Sequence, residues 1–264
     1  MTEYEWDRKM SFAVALALFP ALPRDASAHG HRIDAVLGYL TVTTALAFGV
    51  MLVILLVALA LHRGRHRVAH YTHGVRPRDR VAAIVAGAAV LFGIDAVAVV
   101  RSASALRSGF WRYPDGDPRA YRVEVTAQQW AWNFRYPGAD GVFNTPDDIV
   151  TLNDLRVPVG RPVYLQLTSK DVVHSLYLPN FRTKIDAVPG TVTRLWFEAK
   201  EAGTFEIACA QHCGAWHYKM RGELTAVGEQ ELGRWQGRAA ADAALRYDAA
   251  DREAHDGWPW MPAP

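Results

Sequence analysis

Two cysteines, a histidine and a methionine lie close together in one short stretch of the chain. Cys209 and Cys213 are the only cysteines in the sequence, and they are followed by His217 and Met220. Thiolates, imidazoles and thioethers are soft ligands that copper, iron and zinc accept, but a thioether serves chiefly copper or haem. The sequence holds no Cys-x-x-Cys-His haem attachment motif, which leaves copper as the leading metal for this stretch.

The presence of two thiols decides which kind of copper site is favoured. A disulfide between Cys209 and Cys213 would close a very small loop, constrain the unfolded chain little and leave the histidine and methionine without a role. A mononuclear blue-copper site uses one cysteine, so the second thiolate is surplus to it. Two thiolates can instead bridge two copper ions, each of which needs a terminal nitrogen ligand. His217 supplies one, and His174, in a β-like run that ends at a proline, is the best placed to supply the other.

The N-terminal residues carry the signals of export. The apolar run from Ser11 to Leu22 is too short to span a bilayer, and it precedes Ala26-Ser27-Ala28, the small-x-small pattern that signal peptidase cuts. We therefore predict a signal peptide over residues 1–28. A short amphipathic or buried helix is the alternative interpretation of this run.

The next part of the chain predicts a membrane anchor. Apolar runs from Ala35 to Leu61 and from Val81 to Val100 reach the ~20 residues that a membrane helix needs, and they predict a two-helix transmembrane hairpin over residues 29–105. The connection over residues 62–80 is rich in arginine, which the positive-inside rule assigns to the cytoplasm. This topology exports everything after the hairpin, and it favours a multi-pass protein of a bacterial-type cytoplasmic membrane.

The rest of the chain has the pattern of a β domain. From Tyr121 onward apolar and polar residues alternate, and turn residues bound several short runs, which predicts a β-sandwich or Greek-key barrel over residues 106–228. The clearest strand runs are Tyr121 to Val125, Pro162 to Ser169, Val192 to Glu198, Gly203 to Ala208 and Gly222 to Val227. A polar helix from Gln230 to Tyr247 and a Pro/Trp-rich tail are predicted for residues 229–264. The formal charge of +2, from 29 basic and 27 acidic residues, argues against a nucleic-acid partner.

These features together resemble subunit II of the haem-copper cytochrome c oxidases. The resemblance is carried by the helical hairpin, the aromatic run Gln129 to Pro137, the block Asp171 to Ser175, the run Lys184 to Gly190 and the cysteine loop. It implies a cupredoxin-like β-barrel that holds a binuclear copper centre, CuA. The ligands that it implies are Cys209 and Cys213 as bridges, His174 and His217 as terminal ligands, and Met220 and the backbone carbonyl of Gln211 as axial ligands.

The resemblance also implies roles around the centre. Trp130 matches the aromatic residue through which the family receives electrons from cytochrome c, although an aromatic strand in the barrel core is the alternative. Asp171 or Ser175 is expected to hold the imidazoles, and Gly214 is expected to let the backbone pass close to the centre. His212 is assigned to packing or to the surface. At the position of Gln211 many family members have a glutamate that also reaches a magnesium ion, and a neutral amide puts that magnesium in doubt here.

The function that follows is that of the subunit at which electrons enter a terminal respiratory oxidase. It would pass electrons from a separate cytochrome c through CuA to haem in subunit I, with subunit III as a further neighbour, for reduction of oxygen to water coupled to proton pumping. The chain would thus be part of an enzyme, a proton-translocating oxidoreductase, without reducing oxygen alone. The alternatives are the CuA subunit of a nitric oxide reductase and, from another class, a membrane-tethered copper chaperone with a thioredoxin-like α/β domain.

Overall fold

The computed structural model describes residues 22–63, 76–114, 116–143, 145 and 147–246. Most of the predicted signal peptide, most of the basic connection and the end of the C-terminal tail lie outside the described residues. The chain divides into two compact units, one built on residues 32–108 and one on residues 23–31 together with 109 onward.

The first unit is a pair of long apolar helices. Helix α1 spans Gly30–His62, and a second helical segment runs through α2 (Pro77–Val90), a π-helical turn (Leu91–Asp95) and α3 (Ala96–Gly109). Each segment is 33 residues long and apolar enough to cross a membrane. This confirms the predicted pair of helices, and both extend beyond the apolar runs that indicated them.

Polar contacts join the two helical segments. The hydroxyl of Tyr39 donates a hydrogen bond of 3.1 Å to the carbonyl of Ile94, inside the π-helical turn. The guanidinium of Arg101 lies 5.3 Å from the centroid of the Tyr39 ring. A π-helical turn departs from the regular hydrogen-bond pattern of an α-helix, and the tyrosine provides a hydrogen bond to one of its carbonyls.

The second unit is a sandwich of two five-stranded sheets, which confirms the predicted cupredoxin-like β fold. The strands are β1 (Tyr121–Gln128), β2 (Ala131–Tyr136), β3 (Ile149–Leu152), β4 (Asp154–Pro158), β5 (Pro162–Ser169), β6 (His174–Leu178), β7 (Thr183–Ala187), β8 (Thr193–Glu198), β9 (Gly203–Cys209) and β10 (Arg221–Val227). The first sheet has the order β3-β2-β1-β5-β8, and the second has the order β4-β10-β9-β6-β7. Helix α4 (Glu229–Arg246) follows the last strand.

The core lies between the sheets and is built from the alternating apolar positions of the strands. Val123, Val125 and Ala127 of β1 are fully or almost fully buried, as are Leu165 and Leu167 of the neighbouring strand β5. Pairing of β1 with β5 is parallel, with Val123 opposite Leu165 and Val125 opposite Leu167, so the apolar sides of both strands face the same way. These side chains form one continuous apolar layer on the side of the first sheet that faces the second sheet.

Strand β2 departs from the expected alternation. Its residues Trp132 to Tyr136 are all buried, including the polar Asn133 and Arg135. Arg135 forms an ion pair with the buried Glu124 of β1, and its Nε lies 3.7 Å from the carboxylate of Asp148. Trp132 to Tyr136 therefore have one side in the core and the other in a buried ionic cluster, and neither side faces solvent.

A short N-terminal segment also packs on the sandwich. Residues 23–28, within the predicted signal peptide, run beside the end of β8 and the residues that follow it, and Ala26 is completely buried in the core. Ser27 forms a bridge to Ala199, and the amide of Ala28 donates a 3.0 Å hydrogen bond to the carbonyl of Glu198. Cleavage after Ala28 would thus remove residues that the sandwich uses.

Candidate metal centre

Three neighbouring strands of the second sheet bring the predicted ligands to one end of the sandwich. His174 is the first residue of β6, Cys209 is the last residue of β9, and Met220 directly precedes β10. Strand β9 pairs with both β6 and β10, with Cys209 opposite Leu176. The sheet therefore supplies the long-range step that joins His174 to the cysteine loop.

Backbone hydrogen bonds close the loop around its ends. The amide of Cys209 donates to the carbonyl of Met220 at 3.2 Å, and the amide of Ala210 donates to the carbonyl of Ser175 at 2.9 Å. A short 3₁₀ turn over His217–Lys219 brings the chain back to β10. The loop is thereby fixed at both ends to strands of the sheet, which limits its rearrangement.

The side chains of the loop converge on one point. Cys209 Sγ lies 3.8 Å from Cys213 Sγ, and Cys213 Sγ lies 3.6 Å from His217 Nδ1 and 3.7 Å from Met220 Sδ. His174 completes the group, since its Nδ1 lies 3.1 Å from Met220 Sδ. The ligand atoms of His174, Cys209 and Cys213 all lie within 4.8 Å of one another.

The carbonyl of Gln211 belongs to the same cluster. Its oxygen lies 3.2 Å from Cys209 Sγ, while the residue as a whole is exposed. The structure thus brings together all six donors that the sequence predicted: two thiols, two imidazoles, a thioether and a backbone carbonyl. His212 is exposed, as predicted, and its ring centroid lies 5.5 Å from that of His217.

Asp171 orients the buried imidazole. Its Oδ1 lies 2.9 Å from His174 Nε2, so Nε2–H donates to the carboxylate, and the other ring nitrogen, Nδ1, lies 3.1 Å from the thioether sulfur of Met220. The hydroxyl of Ser175, the other expected partner, is buried and has no hydrogen-bond partner among the described residues. The carboxylate therefore has the positioning role.

The two thiols differ in their electrostatic surroundings. Burial opposes ionisation of Cys209, but hydrogen bonds from His174 and from the amide of Ser175 outweigh it and lower the pKa of that thiol to about 6. Burial and the neighbouring Cys209 thiolate raise the pKa of Cys213 to about 12. Two adjacent negative charges are unfavourable without a cation between them, so the pair is suited to binding positive charge.

The donor set fits copper. Thiolate, imidazole and thioether sulfur are soft or borderline ligands, and this combination is typical of copper sites. A single four-coordinate ion would leave two of the six donors unused, whereas two ions that share the thiolates would use all of them. The chemistry of the donors thus favours a binuclear arrangement.

Trp130 lies beside the loop. It is half-buried against the core, and its Nε1 donates a 3.2 Å hydrogen bond to the carbonyl of Cys213. The side-chain amide of Gln129 donates to the same carbonyl at 2.8 Å. Gly214 adopts φ +120°, and a Cβ there would lie 2.9 Å from Gln129 Nε2 and 3.2 Å from the Trp130 ring. Its small size makes room for these side chains, which is a different reason from the one expected.

Two contacts of the site were missed by sequence reasoning. Gln129 was assigned no role, and Trp216 was treated only as part of the loop. The Trp216 ring lies 5.1 Å from that of Trp130, centroid to centroid, and 57% of the residue is exposed. The sequence does show an aromatic residue directly before the ligand histidine, which could have indicated a role for Trp216. The exposure of Trp216, however, depends on the turn that follows it.

Comparisons with known proteins all indicate similarity to one family. Residues 121–227 match the family model described as cytochrome c oxidase subunit II, periplasmic domain. The chain is 40% identical to the alternative cytochrome c oxidase subunit 2 of Bradyrhizobium diazoefficiens, over 44% of this chain and 50% of that protein. It is 32% identical to cytochrome c oxidase subunit 2 of Thermostichus vulcanus, over 71% of this chain and 55% of that protein. The chain thus spans about half the length of these curated relatives.

A solved structure is also similar. It is the periplasmic domain of subunit II of cytochrome oxidase from Bradyrhizobium japonicum, which is 28% identical, with a TM-score of 0.43. The match covers 47% of this chain and 96% of that domain.

Proposed function

This chain belongs to the cytochrome c oxidase subunit II family, and on that premise we propose that it is the subunit at which electrons enter a terminal respiratory oxidase. The two helices anchor it in a membrane, and the sandwich is its outer-face domain. The observation that carries the proposal is the convergence of six soft or neutral donors on one point at the end of the second sheet. Cytochrome c is the proposed donor, and haem in subunit I is the proposed acceptor.

His174, Cys209, Cys213, His217, Met220 and the carbonyl of Gln211 would hold a binuclear copper centre. When bound, copper held by these donors would supply a one-electron redox centre whose bonds change little between its two oxidation states. The chain contributes rigidity, because Cys209 and Met220 are tied together by a backbone hydrogen bond and Asp171 fixes the imidazole of His174. Rigid ligands lower the reorganisation that accompanies electron transfer.

The inner part of the site is covered from solvent. Cys213 and Met220 are buried, and the Trp130 ring closes over the carbonyl of Cys213. Exclusion of water strengthens the interaction between thiolates and a bound cation, since the local dielectric constant is low.

The chaperone alternative is not supported by the fold. It predicted a thioredoxin-like α/β domain, and the domain is instead a sandwich of two β-sheets. A nitric oxide reductase subunit would have the same copper site, because the site does not depend on what the partner subunit reduces. We propose oxygen as the terminal acceptor because the named relatives are cytochrome c oxidase subunits.

Copper binding tests the first part of the proposal. The full-length chain in detergent, titrated with copper, is expected to bind two ions and to show the electron paramagnetic resonance spectrum of one unpaired electron shared by two coppers. Cys213→Ser should reduce the stoichiometry or localise the spin on one ion. Binding of one ion by the unaltered chain, with a mononuclear spectrum, would contradict the binuclear centre.

Electron uptake tests the second part. Reduced cytochrome c mixed with the copper-loaded chain should be oxidised with bleaching of the copper absorption. The haems of the large subunit that co-purifies with the chain then distinguish the two terminal acceptors. A haem-copper oxidase subunit that consumes oxygen supports the proposal, and one that reduces only nitric oxide supports the alternative.

A further inference from the structure

The cysteine loop presents a pair of stacked tryptophans to solvent. Trp216 and Trp130 lie 5.1 Å apart, centroid to centroid, at an angle of 42° between their planes. They come from separate parts of the chain, Trp130 from the turn before β2 and Trp216 from the loop between β9 and β10. The outer ring is 57% exposed and the inner ring is half-buried. Their order from solvent inward is thus Trp216 and then Trp130.

The inner ring is joined directly to a predicted bridging ligand. Trp130 Nε1 donates to the carbonyl of Cys213 at 3.2 Å. Trp216 has a second connection through the chain itself, because it directly precedes His217. Electron transfer between proteins falls steeply with the length of the gap, so an exposed π system in contact with this path is the preferred point of approach for a donor.

The loop holds the outer ring in place. The ammonium of Lys219 lies 5.9 Å from the centroid of Trp216 and 5.6 Å from that of Tyr218, so it contacts the faces of both rings. Tyr218 is more exposed than Trp216, at 66%. Among the ring contacts of the described residues, Trp130 stacks with Trp216 and not with Tyr218, so Tyr218 is a matched aromatic neighbour outside the stacked pair.

We propose that Trp216 is the outermost residue of the electron path and contacts the donor, while Trp130 is the second ring. This rests on the proposed function. The donor loses one electron and the metal centre gains it, no proton moves, and neither tryptophan is itself oxidised or reduced. A large, rigid and partly apolar side chain at this point is also of the type that dominates transient protein interfaces.

The first measurement uses the copper-free full-length chain. Coupling between the two indole rings should give a near-ultraviolet circular dichroism signal that disappears in Trp216→Leu and in Trp130→Leu but persists in Tyr218→Leu. Loss of the signal only in Trp130→Leu would show that the rings are not paired, and it would overturn the proposal.

The second measurement uses the copper-loaded chain at saturating reduced cytochrome c, where binding no longer limits the rate. Trp216→Leu should slow electron uptake by about tenfold, Trp216→Phe should recover part of the loss, and Tyr218→Leu should stay close to the unaltered chain. An unchanged copper spectrum in each variant shows that the site is intact, and the phenylalanine variant serves if leucine perturbs it. Equal rates for Trp216→Leu and the unaltered chain would overturn this inference alone. No reaction of the unaltered chain with cytochrome c would instead overturn the proposed function.

A separate observation concerns the segment Pro23–Ala28, which the cleavage pattern would remove. The amide of Ala26 donates to the carbonyl of Asn180 at 2.8 Å, and the amide of Lys200 donates to the carbonyl of Ala26 at 2.9 Å. The side chain of Asn180 reaches the carbonyl of Arg24 at 2.8 Å. Backbone pairing of this kind on both sides of a fully buried alanine is typical of a strand at a sheet edge.

Charged side chains reinforce this pairing. Asp25 forms an ion pair of 3.1 Å with Lys200, and its carboxylate is 14% exposed. Arg24 forms one of 3.0 Å with Glu201, and Arg182 donates to the carbonyl of Pro23 at 2.6 Å. Exposed ion pairs contribute little alone, but here they flank a buried residue and a bridge to the sheet.

We infer that residues 23–28 remain in the mature chain, with signal peptidase cutting upstream of Pro23. The intact mass of the chain purified from membranes should correspond to a first residue at or before Pro23. Ala28→Leu, which places a large residue where the predicted cut requires a small one, should leave that mass unchanged. A mature chain that begins at His29, or a longer product in Ala28→Leu than in the unaltered chain, would overturn the inference.

Discussion

Replacement of Asp171 by asparagine tests how far one carboxylate organises the metal site. One of its oxygens, Oδ1, accepts from Nε2 of His174 at 2.9 Å and from the amide of Val172 at 2.6 Å. The other, Oδ2, accepts from the amide of Gln129 at 2.7 Å. The carboxylate thus connects a predicted copper ligand with the turn that carries Trp130.

An amide of the same shape cannot reproduce these contacts. If the asparagine oxygen accepts from His174, the asparagine NH₂ group faces the backbone N–H of Gln129. Two hydrogen-bond donors then face each other, and neither has an acceptor. The exposed Gln129 amide can turn to water, so the loss of stability should be small, about 1 kcal/mol. The lost charge also makes His174 a poorer ligand, and removal of such a partner typically lowers metal affinity by about 10–100-fold, or about 1.4–2.7 kcal/mol.

Two assays separate these effects. Competition with a chelator of known affinity measures copper binding, and urea unfolding of the copper-free chain measures stability. Asp186→Asn is the matched control, since Asp186 is an exposed acid on β7, opposite Ser175 of β6. If Asp171→Asn and Asp186→Asn bound copper with equal affinity, the positioning role of Asp171 would be refuted.

Three further predictions concern the axial ligand, the buried ionic cluster and the topology. Met220→Leu should retain both coppers, because leucine has nearly the same volume as the buried methionine. A spectroelectrochemical titration of this variant should show a shifted reduction potential. Loss of all metal would contradict an axial role of Met220. Burial raises the pKa of Glu124 from 4.5 to about 7, against the effect of Arg135. The folded chain therefore keeps a proton that the unfolded chain releases between these values, so this residue makes stability fall as pH rises from about 4.5 to about 7. Urea midpoints across that window should fall less in Glu124→Gln, and parallel profiles would contradict the assignment. A reporter fused after Arg65 should be cytoplasmic and one after Gly228 external, and the reverse would contradict the hairpin.

Local pattern was sufficient for much of the fold. The five predicted strand runs coincide closely with β1, β5, β8, β9 and β10, because each alternates apolar and polar residues between turn residues. The short strands β3, β4 and β7 carry too few residues for a period to show. Both apolar runs of the hairpin lie in helices that continue beyond them, since helix ends are polar where they leave the membrane.

Strand β2 shows why the rest could not be predicted. The strand alternates aromatic residues with Asn133 and Arg135, yet Arg135 is only 2% exposed and is accommodated by Glu124 and Asp148. Those partners come from β1 and from the connection after β2, so the burial depends on pairing that no local window contains. A charged residue is buried only where opposite charges accompany it, and that condition is tertiary.

The cysteine loop shows how one peptide segment separates two roles. Cys213 and Met220 are buried and point at the site, whereas Gln211, His212 and Trp216 are exposed. At Gln211 the backbone carbonyl faces Cys209 and the side chain faces outward, so the type of side chain there does not determine the donor offered to copper. Replacement of a carboxylate by an amide at this position therefore changes which ion the side chain can bind. The backbone carbonyl that is offered to copper stays the same. The doubt about magnesium and the proposal for copper are thus independent, although they concern the same residue.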